Sequence, residues 1–138
     1  MDETKKIVLD TNVIISGFGW KGNPHRILAK IMNGKFNWVI SEKQLDEVKR
    51  VVQYPHLKFT EKHREDLFAM ISKAATVIPI KTRTEIITED PSDNMLLDIA
   101  LAAEAEYLIS GDKHLLKIKK IGKTHILKPA AFLKETLP

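Results

Sequence analysis

The chain contains no cysteine, which excludes disulfides, thiolate metal centres and cysteine nucleophiles. It also lacks any apolar run near the roughly 20 residues that a membrane helix requires. The opening Met1-Asp2-Glu3-Thr4-Lys5-Lys6 has no apolar signal core behind it, so the expected location is cytoplasmic and no membrane partner is expected. His25, His56, His63, His114 and His125 show no ligand spacing such as HExxH, and no serine sits in a Gly-x-Ser-x-Gly elbow. Internal repeats, low-complexity tracts and interdomain linkers are absent as well. Any metal chemistry is therefore left to oxygen ligands.

The length of 138 residues suits one domain spanning 1–138, long enough to bury a single core. With 43% hydrophobic and 29% charged residues the composition is that of a soluble globular protein. The net charge is +4 and the isoelectric point is near 9.2. This modest basic excess gains meaning if the acids cluster, because the remaining surface is then more cationic than the total suggests.

Short apolar runs alternate with helical patterns along the chain. Ile7-Val8-Leu9 reads as a buried strand ending at Asp10-Thr11-Asn12. A glycine-rich connection is expected over Ser16–Asn23, then a helix opened by Pro24 and stopped by Gly34 after Asn33. Phe36–Ile40 is the second strand. Ser41 caps a helix to about Gln53, with Gln44 completing a capping box, and Pro55 lies beyond its end. Thr60 caps the next helix, which ends near Ala75, and Thr76–Ile80 is a third strand interrupted by Pro79. Lys81–Pro91 reads as polar and irregular. Asp90 or Ser92 caps an apolar helix over Asp93–Ala105, followed by a strand at Tyr107–Ser110 and a short helix from Asp112. A last strand at His125–Leu127 and a helix from Pro129 complete the pattern. The alternation predicts an α/β fold, a three-layer sandwich around a parallel sheet.

Ligands bind outside the carboxyl ends of strands in such sheets. Two strand ends carry acids, Asp10 and the Asp112 of Ser110-Gly111-Asp112. Each could also serve as a helix cap, but their matching positions point to a shared crevice where a cation joins them. On the helix after Ser41, Leu45, Val48, Val51 and Val52 define the buried face, and Asp46 points away from it. Glu42 and Glu47 lie on opposite borders of that face, and the pattern leaves both as candidates. Asp93 starts the stripe of Leu96, Leu97 and Ala100, whereas Asp98 points about 140° away from it at 100° per residue and reads as structural or surface. Gly122-Lys123-Thr124 lacks the earlier glycine of a phosphate loop, since Lys117 stands there. Trp20 and Trp38 read as packing groups rather than base-stacking ones.

Taken in order, Ile7-Val8-Leu9-Asp10-Thr11-Asn12-Val13, Val39-Ile40-Ser41-Glu42, Asp90-Pro91-Ser92-Asp93-Asn94, Tyr107-Leu108-Ile109-Ser110-Gly111-Asp112 and Ile126-Leu127-Lys128-Pro129-Ala130-Ala131-Phe132-Leu133 resemble the PIN-domain nucleases. The similarity is greatest to a prokaryotic branch described as toxin components of toxin–antitoxin pairs. The resemblance implies a Rossmann-like fold, a homodimer or higher homo-oligomer, and a metal-dependent ribonuclease acting on RNA, with an antitoxin protein as partner. It carries the family's acids onto Asp10, Glu47, Asp93 and Asp112, selecting Glu47 over Glu42. Ser110 keeps the hydroxyl of the family's Thr-x-Asp. One or two Mg²⁺ or Mn²⁺ ions are the expected cofactors, because hard cations prefer oxygen ligands. Thr11, Asn12 and Ser110 are expected to hold carboxylates, waters or phosphate oxygens, and Lys21, Arg26, Lys43, Lys113 and Lys117 are candidate phosphate contacts. A haloacid-dehalogenase-like phosphatase is the rival enzyme, but it needs a second Asp where Asn12 stands. A non-catalytic RNA-binding module on the same fold is the other alternative. Turnover of an aryl phosphate would favour the phosphatase, and metal-dependent cleavage of single-stranded RNA the nuclease.

Overall fold

Side chains alternate across a strand, and in this chain both sides of the alternation are apolar. In a computed structural model, described over residues 4–81 and 90–136, Ile7 and Leu9 face one core while Val8 faces another. Trp38 and Ile40 oppose Val39 in the same way, and Tyr107 and Ile109 oppose Leu108. A sheet with two apolar faces must be covered twice, which dictates three layers.

The strands are β1 (Lys6–Leu9), β2 (Asn37–Ile40), β3 (Ala75–Val77), β4 (Tyr107–Ile109), β5 (Lys120–Ile121) and β6 (Thr124–Leu127). They are ordered β3-β2-β1-β4-β6-β5. All pairings are parallel except β5 with β6. The helices are α1 (Thr11–Gly19), α2 (Asn23–Met32), α3 (Glu42–Val51), α4 (Glu61–Ala74), α5 (Pro91–Ala103), α6 (Lys113–Ile118) and α7 (Pro129–Glu135), with a 3₁₀ turn at Pro55–Leu57. Residues of α1, α2, α3, α4 and α7 pack in one core, and those of α5 and α6 in the other. The chain is thus the expected α/β sandwich with a central, mostly parallel sheet. Among the described residues no helix is long and apolar enough to cross a membrane.

Several local expectations change. Ser16–Gly19 is the last turn of α1, not a loop. Val13, Ile14 and Ile15 are buried and hold that helix on the core, and its glycine serves close packing. A Cβ on Gly17 would lie 2.7 Å from Leu28 Cδ1 and 2.8 Å from the Pro24 carbonyl oxygen of α2. The Ser41 cap is present, since its hydroxyl accepts the Gln44 N–H at 3.1 Å, but no capping box forms. Gln44 is fully buried and donates instead to the Leu9 carbonyl at 2.7 Å, tying α3 to the end of β1. Lys120–Ile121 adds a short strand through a turn at Gly122, whose φ of +56° suits glycine. Asp90 rather than Ser92 caps α5, which ends at Ala103 with Glu104 left-handed after it. Of the expected irregular stretch over 81–91, residues 82–89 lie outside the described residues, and Pro91 is the first residue of α5 rather than part of a loop.

Candidate active site

The registers of β1 and β4 place Leu9 opposite Ile109, so Asp10 and Ser110 emerge side by side. The ladder continues one step further on each side. The Asp10 N–H donates to the Ile109 carbonyl at 2.9 Å, and the Ser110 N–H to the Leu127 carbonyl at 3.0 Å. Backbone pairing therefore fixes where both side chains begin.

Ser110 is fully buried and joins two acidic loops. Its hydroxyl donates to Asp10 Oδ2 at 2.6 Å and accepts the Asp112 N–H at 3.0 Å. Asp10 also caps α1, its Oδ1 accepting the Asn12 N–H at 3.3 Å. Asp112 caps α6 by accepting the His114 N–H at 2.7 Å. The capping roles and the shared location are thus compatible. Asn12 contributes this backbone donor while its side chain is exposed.

Asp93, at the first turn of α5, is 3% exposed. Its Oδ2 is buried without a hydrogen-bond partner among the described residues. Oxygen atoms of Asp90, Asp93 and Asp112 lie within 4.8 Å of one another. Desolvation, then repulsion from Asp112, Asp90 and Asp10, pushes the Asp93 carboxyl up to about 6. Burial likewise raises Asp10, against the hydrogen bonds from Ser110 and Asn12, with Glu47 and Asp112 adding repulsion. These are acids held together at an electrostatic cost, one of them with an unused acceptor.

Glu47 stands beside this group. Its Oε1 accepts the Thr11 hydroxyl and its Oε2 accepts the Ser92 hydroxyl at 2.5 Å, with Arg50 3.9 Å from the latter oxygen. Glu42 is exposed and turns to a different recess, lined by Ile78, Pro79 and Met95. Thr11 is buried, and its hydroxyl oxygen also lies 3.4 Å from Gln44 Nε2. Lys43 and Arg50 share a surface recess with Glu47 and Ser92. Lys113 and Lys117 are exposed on α6 just past Asp112, and Lys21 and Arg26 are exposed between and on α1 and α2. Asp98 is half-buried in the recess with Glu42, away from the cluster of Asp90, Asp93 and Asp112.

Asp90, Ser92 and Arg50 were not singled out as site residues by the sequence reading. Asp90 carried a detectable signal, since a cap residue three positions before Asp93 lies one helical turn from it. Its cap function, accepting the Ser92 N–H at 2.8 Å, hid the second one. Arg50 offered no signal beyond its i,i+3 spacing from Glu47.

A cluster of carboxylates at the carboxyl edge of a mostly parallel sheet, with an all-oxygen donor set, defines the general class of this protein. Within it, the chain belongs to the PIN-domain family, whose model matches residues 6–114 and spans Asp10, Glu47, Asp93 and Asp112. PIN domains are generally nucleases. Among solved structures, the fold is similar to a chain in the crystal structure of VapBC2 from Rickettsia felis bound to a DNA fragment from their promoter. That match has a TM-score of 0.63 and 18% identity, covering 88% of this chain and 96% of the other. No curated protein matches significantly.

Proposed function

We propose that the protein is a cytoplasmic, divalent-metal-dependent ribonuclease and the toxin component of a toxin–antitoxin pair, acting as a homo-oligomer. The observation that carries the nuclease reading is Asp93, whose Oδ2 is buried and unpaired among the described residues and whose carboxylate comes within 4.8 Å of those of Asp112 and Asp90. An anionic oxygen in that position is satisfied by a hard cation, and the three ligand atoms grouped there are all carboxylate oxygens. The toxin reading is supported by family membership, by the motif resemblance, and by the likeness to a VapBC2 chain.

Asp93, Asp112 and Asp10 would hold Mg²⁺ or Mn²⁺, with Asp90 as a further ligand or a carrier of bound water. When bound, the cation supplies charge stabilisation at the scissile phosphate and acidifies attacking water. Ser110 keeps Asp10 and Asp112 in register. Each Glu47 oxygen has two lone pairs, so the carboxylate can accept from a water while Thr11 and Ser92 fix its plane. That makes Glu47 the residue positioned to orient the nucleophile. Lys43, Arg50, Lys113 and Lys117 flank the acids and would meet phosphates on either side.

The test is cleavage of single-stranded RNA with Mn²⁺, with chelator, and in Asp93→Asn. Cleavage should vanish with chelator and fall by about 10³-fold or more in the variant, since electrostatic stabilisation dominates phosphoryl chemistry. Full activity in chelator overturns the mechanism. Turnover of an aryl phosphate without RNA cleavage would assign a phosphatase instead.

A further inference from the structure

The two tryptophans have opposite environments. Trp38, in β2, is fully buried, whereas Trp20, directly after α1, is 52% exposed. Trp20 is not a packing group in the sense the sequence suggested. Its ring lies 5.8 Å from Phe59 at a tilt of 36°. Phe59 meets Phe18 edge-on at 6.3 Å and His63 edge-on at 6.0 Å.

This aromatic shelf is built in place rather than left over. Gly19 lets Phe59 approach, since a Cβ there would come within 3.1 Å of the ring. Arg64 donates to the Phe59 carbonyl at 2.7 Å, and His63 Nδ1 accepts the Thr60 N–H at 3.1 Å. The supporting rings are thereby fixed while the Trp20 face stays in water. A large exposed apolar ring on a fixed support marks a contact surface.

Charge identifies the occupant. No Asp or Glu stands between Asp10 and Glu42, a stretch carrying Lys21, Arg26, Lys30 and Lys35. None stands between Glu47 and Glu61 either, where Lys49, Arg50 and Lys58 occur. Trp20 and Phe59 come from these two acid-free segments, with Lys21 and Lys58 as their neighbours and both lysines exposed. The acids beyond begin with Glu61 on α4, whose Asp66 is paired with Lys62 at 2.8 Å. A second copy docking shelf to shelf would bring like charges together. A polyanion with flat, unpaired bases fits both the rings and the charge.

We propose that Trp20 is a stacking platform for a base of single-stranded RNA, at a subsite set apart from the acids. The inference rests on the ribonuclease reading for its substrate. Helix α1 runs from its cap at Asp10 to its cap at Trp20, a span of about 15 Å at 1.5 Å per residue. At a stacked spacing of about 3.4 Å that separation is roughly four nucleotides. The platform would therefore make binding depend on length beyond the scissile bond.

Because only Trp20 of the two tryptophans is exposed, intrinsic fluorescence reads the shelf directly. The experiment titrates full-length protein in chelator with oligouridylates of about two and about eight nucleotides, within the range a stacking groove engages. The longer oligomer should quench the emission and protect it from acrylamide. Trp20→Ala should weaken binding of the longer oligomer by about tenfold, and Trp20→Phe should retain most of it. Lys21→Glu with Lys58→Glu should weaken binding and flatten its salt dependence. Circular dichroism confirms that each variant is folded. Unquenched emission on binding, or unchanged affinity in folded Trp20→Ala, overturns the platform while leaving cleavage and the nuclease reading intact. Quenching by RNA that the metal-loaded protein does not cleave would keep the platform and remove the nuclease. Altered sedimentation of Trp20→Ala with unchanged RNA affinity would assign the shelf to self-association and overturn the proposal.

Discussion

Asp93 and Glu47 solve opposite problems with the same functional group. Glu47 has both oxygens occupied by hydroxyls, while Asp93 has a buried oxygen left over. Removing charge from each should therefore act differently. Glu47→Gln keeps the shape but offers one acceptor oxygen in place of two, so cleavage should fall by about 10²-fold or more while metal-induced stabilisation persists. Asp93→Asn should lose both. Cleavage rates paired with thermal melts in Mn²⁺ separate the two, and an equal loss of metal response in both variants would contradict the division of roles. Ser110→Ala tests the joint between the acidic loops. The Asp112 N–H and Asp10 Oδ2 each lose a partner, so stability should drop by about 1–3 kcal/mol and cleavage should fall further than that loss explains. How far these roles could be read beforehand depends on geometry. The strand-end positions of Asp10 and Asp112 followed from residue order alone. The helical pattern left Glu42 and Glu47 equivalent, because a border position does not say which side of the sheet edge it overlooks. Asp90 escaped notice because a capping acid explains itself locally.

Among the elements, the segment from α1 to α2 is where composition misleads most. Glycine marks turns when read in isolation, yet Gly17 and Gly19 are helical and each leaves room for a neighbour, Leu28 and Phe59 respectively. The apolar run of Val13-Ile14-Ile15 was the competing signal, and burial against the sheet decides in its favour. Gly17→Ala should consequently destabilise by about 1–3 kcal/mol through overpacking, even though alanine is the better helix former. Denaturant melts check this, and a stabilised variant would mean that α1 and α2 can part without cost. The central strands were legible for the opposite reason. Ile7–Leu9 and Tyr107–Ile109 are apolar on both faces, and Asp10, Pro24, Ser41, Thr60 and Pro129 punctuate the helices in ways that depend only on local chemistry. Lys120–Ile121 was not legible, since two residues carry no period and the strand exists only through its pairing with Thr124 and His125. The side chain of Gln44 is a similar case. Its spacing fits a capping box, but the Leu9 carbonyl at the end of β1 is a buried acceptor that only tertiary contact supplies.

For the molecule as a whole, a net charge of +4 coexists with a concentrated acidic centre, and the two respond to pH and metal in a linked way. Asp93 sits at about 6 in the fold against an ordinary value of 3.8, and Asp10 is raised as well. The folded protein therefore holds these protons more tightly than the unfolded chain. The corresponding stability is fully present below about pH 4, and it is lost as pH rises through about 6. Without metal, the contribution of these acids should make wild type less stable at neutral pH than at weakly acidic pH. Asp93→Asn, whose amide stays neutral, should lack most of that slope and be as stable as wild type or more so at neutral pH. Divalent ion should act in the reverse direction. It competes with protons for the same oxygens, so its stabilisation should grow as pH passes about 6 and Asp93 becomes free to bind. At an ion concentration 100 times the dissociation constant the gain is about 2.7 kcal/mol, which for a chain of 138 residues is a melting shift of about 9 °C. Melts of wild type and Asp93→Asn at weakly acidic and neutral pH, each with Mn²⁺ and with chelator, test both signs together. A metal response that is equal in the two proteins, or that weakens as pH rises to neutral, would mean that Asp93 is neither a ligand nor the source of the strain.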